Sequence, residues 1–256
     1  MAADERVIRG SSFGGAAAAY AEHRPDYAQD AVRWALAPAP GPRVLDLGAG
    51  TGKLTATLVA LGADVTAVEP DPAMLAELQQ LLPDVRAMAG SAEAIPLPDA
   101  SVDAIVAGQA LHWFDMAVAG PEMARVLVPG GILAGLWNVN DDRVDWVSAI
   151  EQLSEGSASL TFTDWNAHSA DIRLASMDLP GLFSPPDRAE FPHGLRRTAE
   201  SLLATIATHS RLLVMDDAAR TALLGRIGDY LARLPETSAG EFTLPMLTGV
   251  LRARRE

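Results

Sequence analysis

The sequence predicts a doubly wound α/β fold, a mostly parallel sheet with helices on both faces and a helical lid or insertion following it. Three observations carry that prediction. Short apolar runs alternate with helix-spaced apolar residues from about residue 43 to 140, as a parallel sheet with crossover helices demands. The first run leads straight into a glycine-rich turn, Gly48-Ala-Gly50-Thr-Gly52, where such folds bring a ligand against the backbone. The alternation then gives way to helix-like sequence with polar linkers over about 145–182 and 198–234.

Arg43–Leu47 is the first strand, and Leu54, Leu58 and Leu61 mark the helix after the glycines. Asp64–Glu69 is the second, after which Pro70 and Pro72 open a helix carrying Met74, Leu75, Leu78 and Leu81. Asp84–Met88 is a third, weaker strand and Val102–Ala107 a fourth; Pro129-Gly130-Gly131 is a turn feeding a fifth, Ile132–Trp137. Pro185, Pro186 and Pro192 flank a short extended piece. Glu241–Leu251 reads as a last strand that Pro245 confines to an edge or a bulge. Ahead of the first strand, Ala16–Leu36 reads as two short helices broken at Pro25, carrying Tyr20, His23, Arg24 and Tyr27 and able to fold over the ligand edge. The chain thus divides into a helical cover segment (1–40), a ligand-binding core (41–140) and a helical insertion with closing strands (141–256).

The 256 residues include 49% hydrophobic ones, enough for a full core. A net charge of −13 offers no general attraction for phosphate backbones or anionic membranes, so nucleic acid and membrane surfaces are not expected partners. The basic run Arg252, Arg254, Arg255 reads as a solvated chain end. Cysteine is absent, no His/Asp/Glu grouping has metal-site spacing, and the chain carries neither a secretory h-region nor an apolar run of membrane-spanning length. These features read as cytoplasmic and metal-free.

In Asp46-Leu-Gly48-Ala-Gly50-Thr-Gly52, a dinucleotide fingerprint would need its third glycine at position 53, which is Lys53. Asp46 places a carboxylate near the pocket floor, disfavouring a pyrophosphate and favouring a ligand that carries an ammonium and a sulfonium. Glu69 closes the second strand, where a carboxylate can accept from both ribose hydroxyls. Glycines of a plain strand-to-helix turn and a solvated strand-end acid are the bland alternatives. Together the residues point to a nucleoside without saying which.

At these residues the chain resembles class I S-adenosylmethionine-dependent methyltransferases, in particular the methyltransferase type 11 group with its quinone-biosynthesis and trans-aconitate enzymes. Val44–Gly52 is similar to the family's first motif and Val68–Met74 to its ribose-binding block. Gly90–Asp99 with Val102 and Asp103 is similar to the adenine-side loop, and Arg125–Gly131 to the turn before strand five. The resemblance implies a Rossmann-like seven-stranded sheet and S-adenosyl-L-methionine as cofactor. It places Asp46, Gly48, Ala49 and Gly50 at the methionine end, Glu69 and Pro70 at the ribose, Met74 on the adenine, and Ala92 and Glu93 at its edge. Ser91 stands where relatives often have aspartate, so recognition of the adenine amine would pass to Glu93 or to backbone.

Gln109 and Ala110 would meet the cofactor in Gly108-Gln-Ala-Leu-His112-Trp113-Phe114, similar to the family's histidine-tryptophan variant. His112 can act as a base, contact cofactor or substrate, or only pack the loop; Trp113 offers an aromatic face. Tyr20 and Arg24 look like the family's cover segment, with Arg24 either pairing with the cofactor carboxylate or lying on the surface. Trp137 and Asn138 end the fifth strand, facing substrate or serving as core and rim. His168, His193 and His209 read as surface or lid residues. The expected reaction is in-line methyl transfer to a small-molecule acceptor; the alternative is a homologue that binds the cofactor without methylating, a partner subunit or a cyclase.

Overall fold

The computed structural model describes residues 26–155, 177, 179–207, 212 and 215–256; the expectations for Tyr20, His23, Arg24, His168 and His209 lie outside them. Its strands are β1 Arg43–Leu47, β2 Asp64–Glu69, β3 Arg86–Ala89, β4 Val102–Gly108, β5 Leu127–Asn140, β6 Asp187–Arg197 and β7 Phe242–Arg254. The helices are α1 Gln29–Leu36, α2 Lys53–Ala60, α3 Pro72–Leu81, α4 Met116–Val126, α5 Asp145–Glu155, α6 Ala199–Ala207 and α7 Asp217–Arg233. One seven-stranded sheet runs in the order β3-β2-β1-β4-β5-β7-β6. Strands β1 to β5 pair in parallel, and β7 is antiparallel to both β5 and β6. From β1 the chain goes one way to β2 and later returns to the other side as β4, so a crevice opens at the carboxyl ends of β1 and β4.

Burial on both faces explains why β1 and β4 read as continuous apolar runs. Leu45, Leu47, Ile105 and Leu133 pack on one face with Met123 and Val126 of α4. Val44, Ala104, Val106 and Ile132 pack on the other with Leu54 and Leu58 of α2 and Ala31, Val32 and Ala35 of α1. Helix α3 begins where Asp71 caps it, its carboxylate accepting from Ala73 N (2.8 Å) and Met74 N (3.0 Å), with Pro72 at the first turn.

The structure departs from the sequence expectation at four places. Pro129–Gly131 is not a turn ahead of β5 but lies within it. Val102 pairs with Leu127 and Ala104 with Ile132, so four residues of β5 stand opposite one of β4 in a bulge where Gly130 takes φ +75. The extended piece near Pro192 is the full edge strand β6, where a missing N–H is tolerated.

Strand β7 is interior rather than at an edge. It accommodates Pro245 because the β5 pairing stops one residue away, at Asn140 and Met246, and Pro245 O accepts from Asp141 N at 3.0 Å. The missing N–H therefore points past the end of β5. Finally, the arginines near the C-terminus are not a solvated tail. Arg252 lies in β7, its guanidinium 3.6 Å from the Trp34 ring centroid, and donates to Trp34 O.

Strands β6 and β7 run on beyond β5, pairing Gly194–Arg197 with Phe242–Pro245. Val147 and Ile150 of α5, Leu202 and Ile206 of α6, and Leu223, Ile227 and Leu231 of α7 pack there on Phe242 and Leu244. This third core stands beyond the carboxyl edge of the parallel strands. Among the described residues no helix is long and apolar enough to cross a membrane.

Candidate functional site

The glycine turn between β1 and α2 is bound to the end of β2. Gly48 N and Ala49 N both donate to Val68 O, at 2.8 and 3.1 Å. Gly50 N donates to Glu69 Oε2 and Asp71 N to Glu69 Oε1, each at 2.8 Å. Gly50, at φ +58, can aim its N–H at the carboxylate in a conformation that other residues rarely adopt. At Gly48 a Cβ would come within 2.8 Å of Ala110 Cβ, so the turn after β1 and the loop after β4 meet there. Met74 is buried on α3, its sulfur 3.9 Å from where a Gly50 Cβ would sit.

Asp46 is wholly buried, its Oδ2 accepting from Thr55 Oγ1 at 2.6 Å. Burial, with the nearby Glu69 charge adding to it and the Thr55 hydrogen bond opposing it, pushes its carboxyl up to about 7. Burial likewise raises Glu69, against the N–H bonds from Asp71 and Gly50. Asp46 Oδ1 and Thr51 Oγ1 are buried without a hydrogen-bond partner among the described residues. Two acids in a buried pocket, one with an orphaned oxygen, fit a cationic ligand bearing hydroxyls far better than a pyrophosphate.

The loop after β4 starts from Gln109, a non-glycine residue at φ +54. Two hydrogen bonds to β5 hold it there, N to Leu136 O at 2.9 Å and Nε2 to Asn138 O at 2.6 Å. The single 3-10 turn Leu111–Trp113 follows, with Leu111 buried, His112 exposed and Trp113 half-buried. The two rings lie 4.9 Å apart at 44°.

In the loop after β3, Ala92 is buried and Glu93 Oε1 accepts from Asp115 N at 2.9 Å. Arg125, recognised in the sequence only as part of a motif, clamps the residues that follow. It donates to Ile95 O (3.1 Å), Leu97 O (2.9 Å) and Asp99 Oδ1 (2.7 Å) and twice to Glu122 (2.8 Å each). Glu122 Oε2 in turn accepts from Ile95 N at 3.1 Å. Arg125→Ala would strip Leu97 O of its donor, leave Ile95 O with Leu97 N alone, and take both charge-assisted bonds from Glu122, which would keep only Ile95 N. The expected cost is about 2–4 kcal/mol, read as a melting temperature lower by roughly 5–15 °C; a fall of under about 2 °C would refute the clamp.

Trp137 and Asn138 are placed differently from an open acceptor face. Trp137 is fully buried, its ring over Gly135, where a Cβ would meet Cη2 at 2.4 Å. Asn138 Nδ2 donates to Asp26 O at 3.1 Å, and its Oδ1 accepts from Thr248 Oγ1 at 2.7 Å. Thr248 Oγ1 also accepts from Ala28 N at 3.3 Å and lies 3.2 Å from His193 Nε2. Because the one hydroxyl proton goes to Asn138, His193 Nε2 is the donor in that contact. Asn138, Thr248 and His193 thus tie the segment ahead of α1 across the carboxyl edge. Lys53, the single lysine, adds an ion pair with Asp26 at 3.2 Å, and Tyr27 lies against Gly108, where a Cβ would be 2.5 Å from the phenol oxygen. Among the described residues no acidic, histidine or cysteine cluster is arranged to hold a metal.

Residues 45–135 match the methyltransferase domain family. Over 243 residues the chain is 40% identical to an uncharacterised methyltransferase of Mycobacterium tuberculosis, covering 94% of this chain and 95% of that one. The chain belongs to the S-adenosylmethionine-dependent methyltransferases. Over 100 residues this methyltransferase is 44% identical to the demethylmenaquinone methyltransferase of Beutenbergia cavernae, covering 39% of this chain and 42% of the relative. The solved structure of a candidate type II methyltransferase from Anaeromyxobacter dehalogenans shares the architecture at a TM-score of 0.64 and 27% identity, covering 91% of this chain and 97% of that one.

Proposed function

We propose that this methyltransferase transfers the methyl group of S-adenosylmethionine to a small-molecule acceptor held at the carboxyl edge of β1 and β4. The observation that carries this reading is the material standing over that edge. The α5–α7 core sits on the β6–β7 overhang past the end of β5, and the segment ahead of α1 is tied down by Asn138, Thr248 and Lys53, an arrangement that favours a small acceptor over a polymer. The net charge of −13 weighs further against nucleic acid. Likeness to the demethylmenaquinone enzyme covers 39% of the chain and so speaks for the shared core rather than for a quinone acceptor.

In this reading Asp46, Gly48, Ala49 and Gly50 hold the methionine end, and Glu69, beside Pro70, accepts from the ribose hydroxyls. Each Glu69 oxygen takes one backbone N–H and keeps acceptor capacity for another donor. Met74 and Ala92 flank the adenine, while Gln109 and Ala110 close the site from the β4 side. The donor, when bound, supplies an electrophilic methyl on a sulfonium. The chain's own contribution is to hold the acceptor in line with it and exclude water. Trp113 gives the acceptor an aromatic face, and His112 takes a proton where the acceptor atom carries one.

The test is to feed labelled methyl donor to extract of the native cell with the purified protein, together with mass spectrometry of a deletion strain. The expected result is label in a low-mass product and a metabolite one methyl group lighter in the deletion strain. Label confined to protein or nucleic acid would overturn the small-molecule reading.

A further inference from the structure

We propose that Glu93 is a positioning residue that locks the nucleoside-side loop to the turn bearing His112 and Trp113, so that seating the methyl donor also sets the acceptor side. This rests on the reading of the site given above. Three observations lead to it. First, Asp115, directly after His112-Trp113-Phe114, donates its N–H to Glu93 Oε1 at 2.9 Å across 22 residues of sequence. Asp115 is also the cap of α4, its Oδ1 accepting from Ala117 N at 3.2 Å. Second, the far end of α4 holds the same loop, through Glu122 to Ile95 N and through Arg125 to Ile95 O, Leu97 O and Asp99. Helix α4 is therefore stapled at both ends to residues 93–99 and moves with them.

Third, the turn between is fixed at its start by Gln109, bonded to Leu136 O and Asn138 O of β5, and at its end by Asp115. Leu111 plugs it into the core cluster that also holds Ala92 and Ala110. The turn that bears the imidazole and indole is thus anchored to β5 at its start and to the Glu93 carboxylate at its end. Glu93 has a second oxygen, which makes no hydrogen bond to a described residue and can accept from an adenine amine. A carboxylate presents one oxygen to each donor; a glutamine whose oxygen serves Asp115 N presents its NH2 group, itself a donor, to the adenine amine.

The test is amide hydrogen exchange over residues 109–118 in wild type, Glu93→Ala and Glu93→Gln, each free and saturated with S-adenosylhomocysteine, with calorimetry of the same samples. In the free proteins, Glu93→Ala should exchange about tenfold faster than wild type over 111–118, and Glu93→Gln close to wild type, the loss of one charge-assisted bond. The β1 and β4 peptides should stay protected in all three, showing an intact fold. S-adenosylhomocysteine should slow exchange over 111–118 in wild type but not in Glu93→Ala, although that variant still binds it. Equal exchange in free wild type and Glu93→Ala, or glutamine as fast as alanine, would overturn the lock. Cofactor-driven protection that survives in Glu93→Ala would overturn the transmission. Failure of wild type to bind S-adenosylhomocysteine is a different result: it overturns the reading of the site and with it the transmission, while the free-protein comparison still decides the lock.

Discussion

Glu69→Ala is expected to weaken S-adenosylhomocysteine binding by on the order of 100-fold or more, since two charge-assisted hydrogen bonds to ribose hydroxyls are worth about 1.5–3 kcal/mol each. The same carboxylate organises the pocket before any ligand arrives, because Gly50 N and Asp71 N both donate to it. Truncation leaves those two N–H groups without their acceptor, at a cost of about 2–4 kcal/mol in stability. Glu69→Gln separates the two roles. Its one acceptor oxygen can serve either Gly50 N or Asp71 N, so the glycine turn is partly kept, while the charge that strengthens the ribose bonds is gone. Affinity should then fall by roughly tenfold, with a smaller loss of stability. Calorimetry and thermal unfolding on the three proteins decide the matter. A folded Glu69→Ala protein that binds S-adenosylhomocysteine as wild type does would remove Glu69 from the ribose site.

What the sequence made legible follows from burial. Strands β1, β2 and β4 stood out because both faces of the sheet are covered there, turning Val44-Leu-Asp-Leu47 and Val102–Ala107 into apolar runs that end at polar ligand edges. Strand β6 was legible only as a short extended piece because it is a half-exposed edge whose charges and Pro192 interrupt the apolar pattern. The place of β7 was misjudged for a related reason. Pro245 argues against a central strand only where both neighbours run alongside it, and β5 ends just before that point.

In the site, Asp46 was legible because it stands two residues before Gly48 of the glycine turn, and Glu69 because it closes the second apolar run. Arg125, Thr248 and the inward tie of Asn138 were not. Their partners lie 26 to 30 residues away for Arg125 and 110 residues apart for Asn138 and Thr248, and only the folded sheet brings them together. Trp137 was open in the sequence for the same reason. Position at a strand end allowed a ligand-facing ring or a core one, and the absence of a side chain at Gly135 gives that ring a slot in the core.

Asp46 carries the second large effect, one that depends on pH. Its carboxyl titrates near 7 in the folded protein, raised chiefly by burial, against an ordinary aspartate value of about 3.9 in the unfolded chain. The folded state therefore holds its proton more tightly than the unfolded state, and stability falls as pH rises from about 4 to about 7, then levels off. The full penalty, present above pH 7, is roughly 4 kcal/mol on this difference. Asp46→Asn removes the charge while still offering an oxygen to Thr55 Oγ1. It should be more stable than wild type at pH 8, by up to roughly 4 kcal/mol, with the gain shrinking toward pH 5.

Binding should move the other way. An ammonium near Asp46 favours the ionised carboxylate, so wild-type affinity for S-adenosylhomocysteine should rise up to about tenfold per pH unit as pH approaches 7 from below and flatten above it. The asparagine variant should bind weakly and with no such slope. Denaturant titrations and calorimetry at pH 5, 6, 7 and 8 separate the two trends. A wild-type affinity independent of pH through that window would mean that the orphaned Asp46 oxygen does not meet the cationic end of the cofactor. Stability gained and affinity lost in one substitution would identify Asp46 as a residue whose buried charge is kept for binding at the expense of the fold.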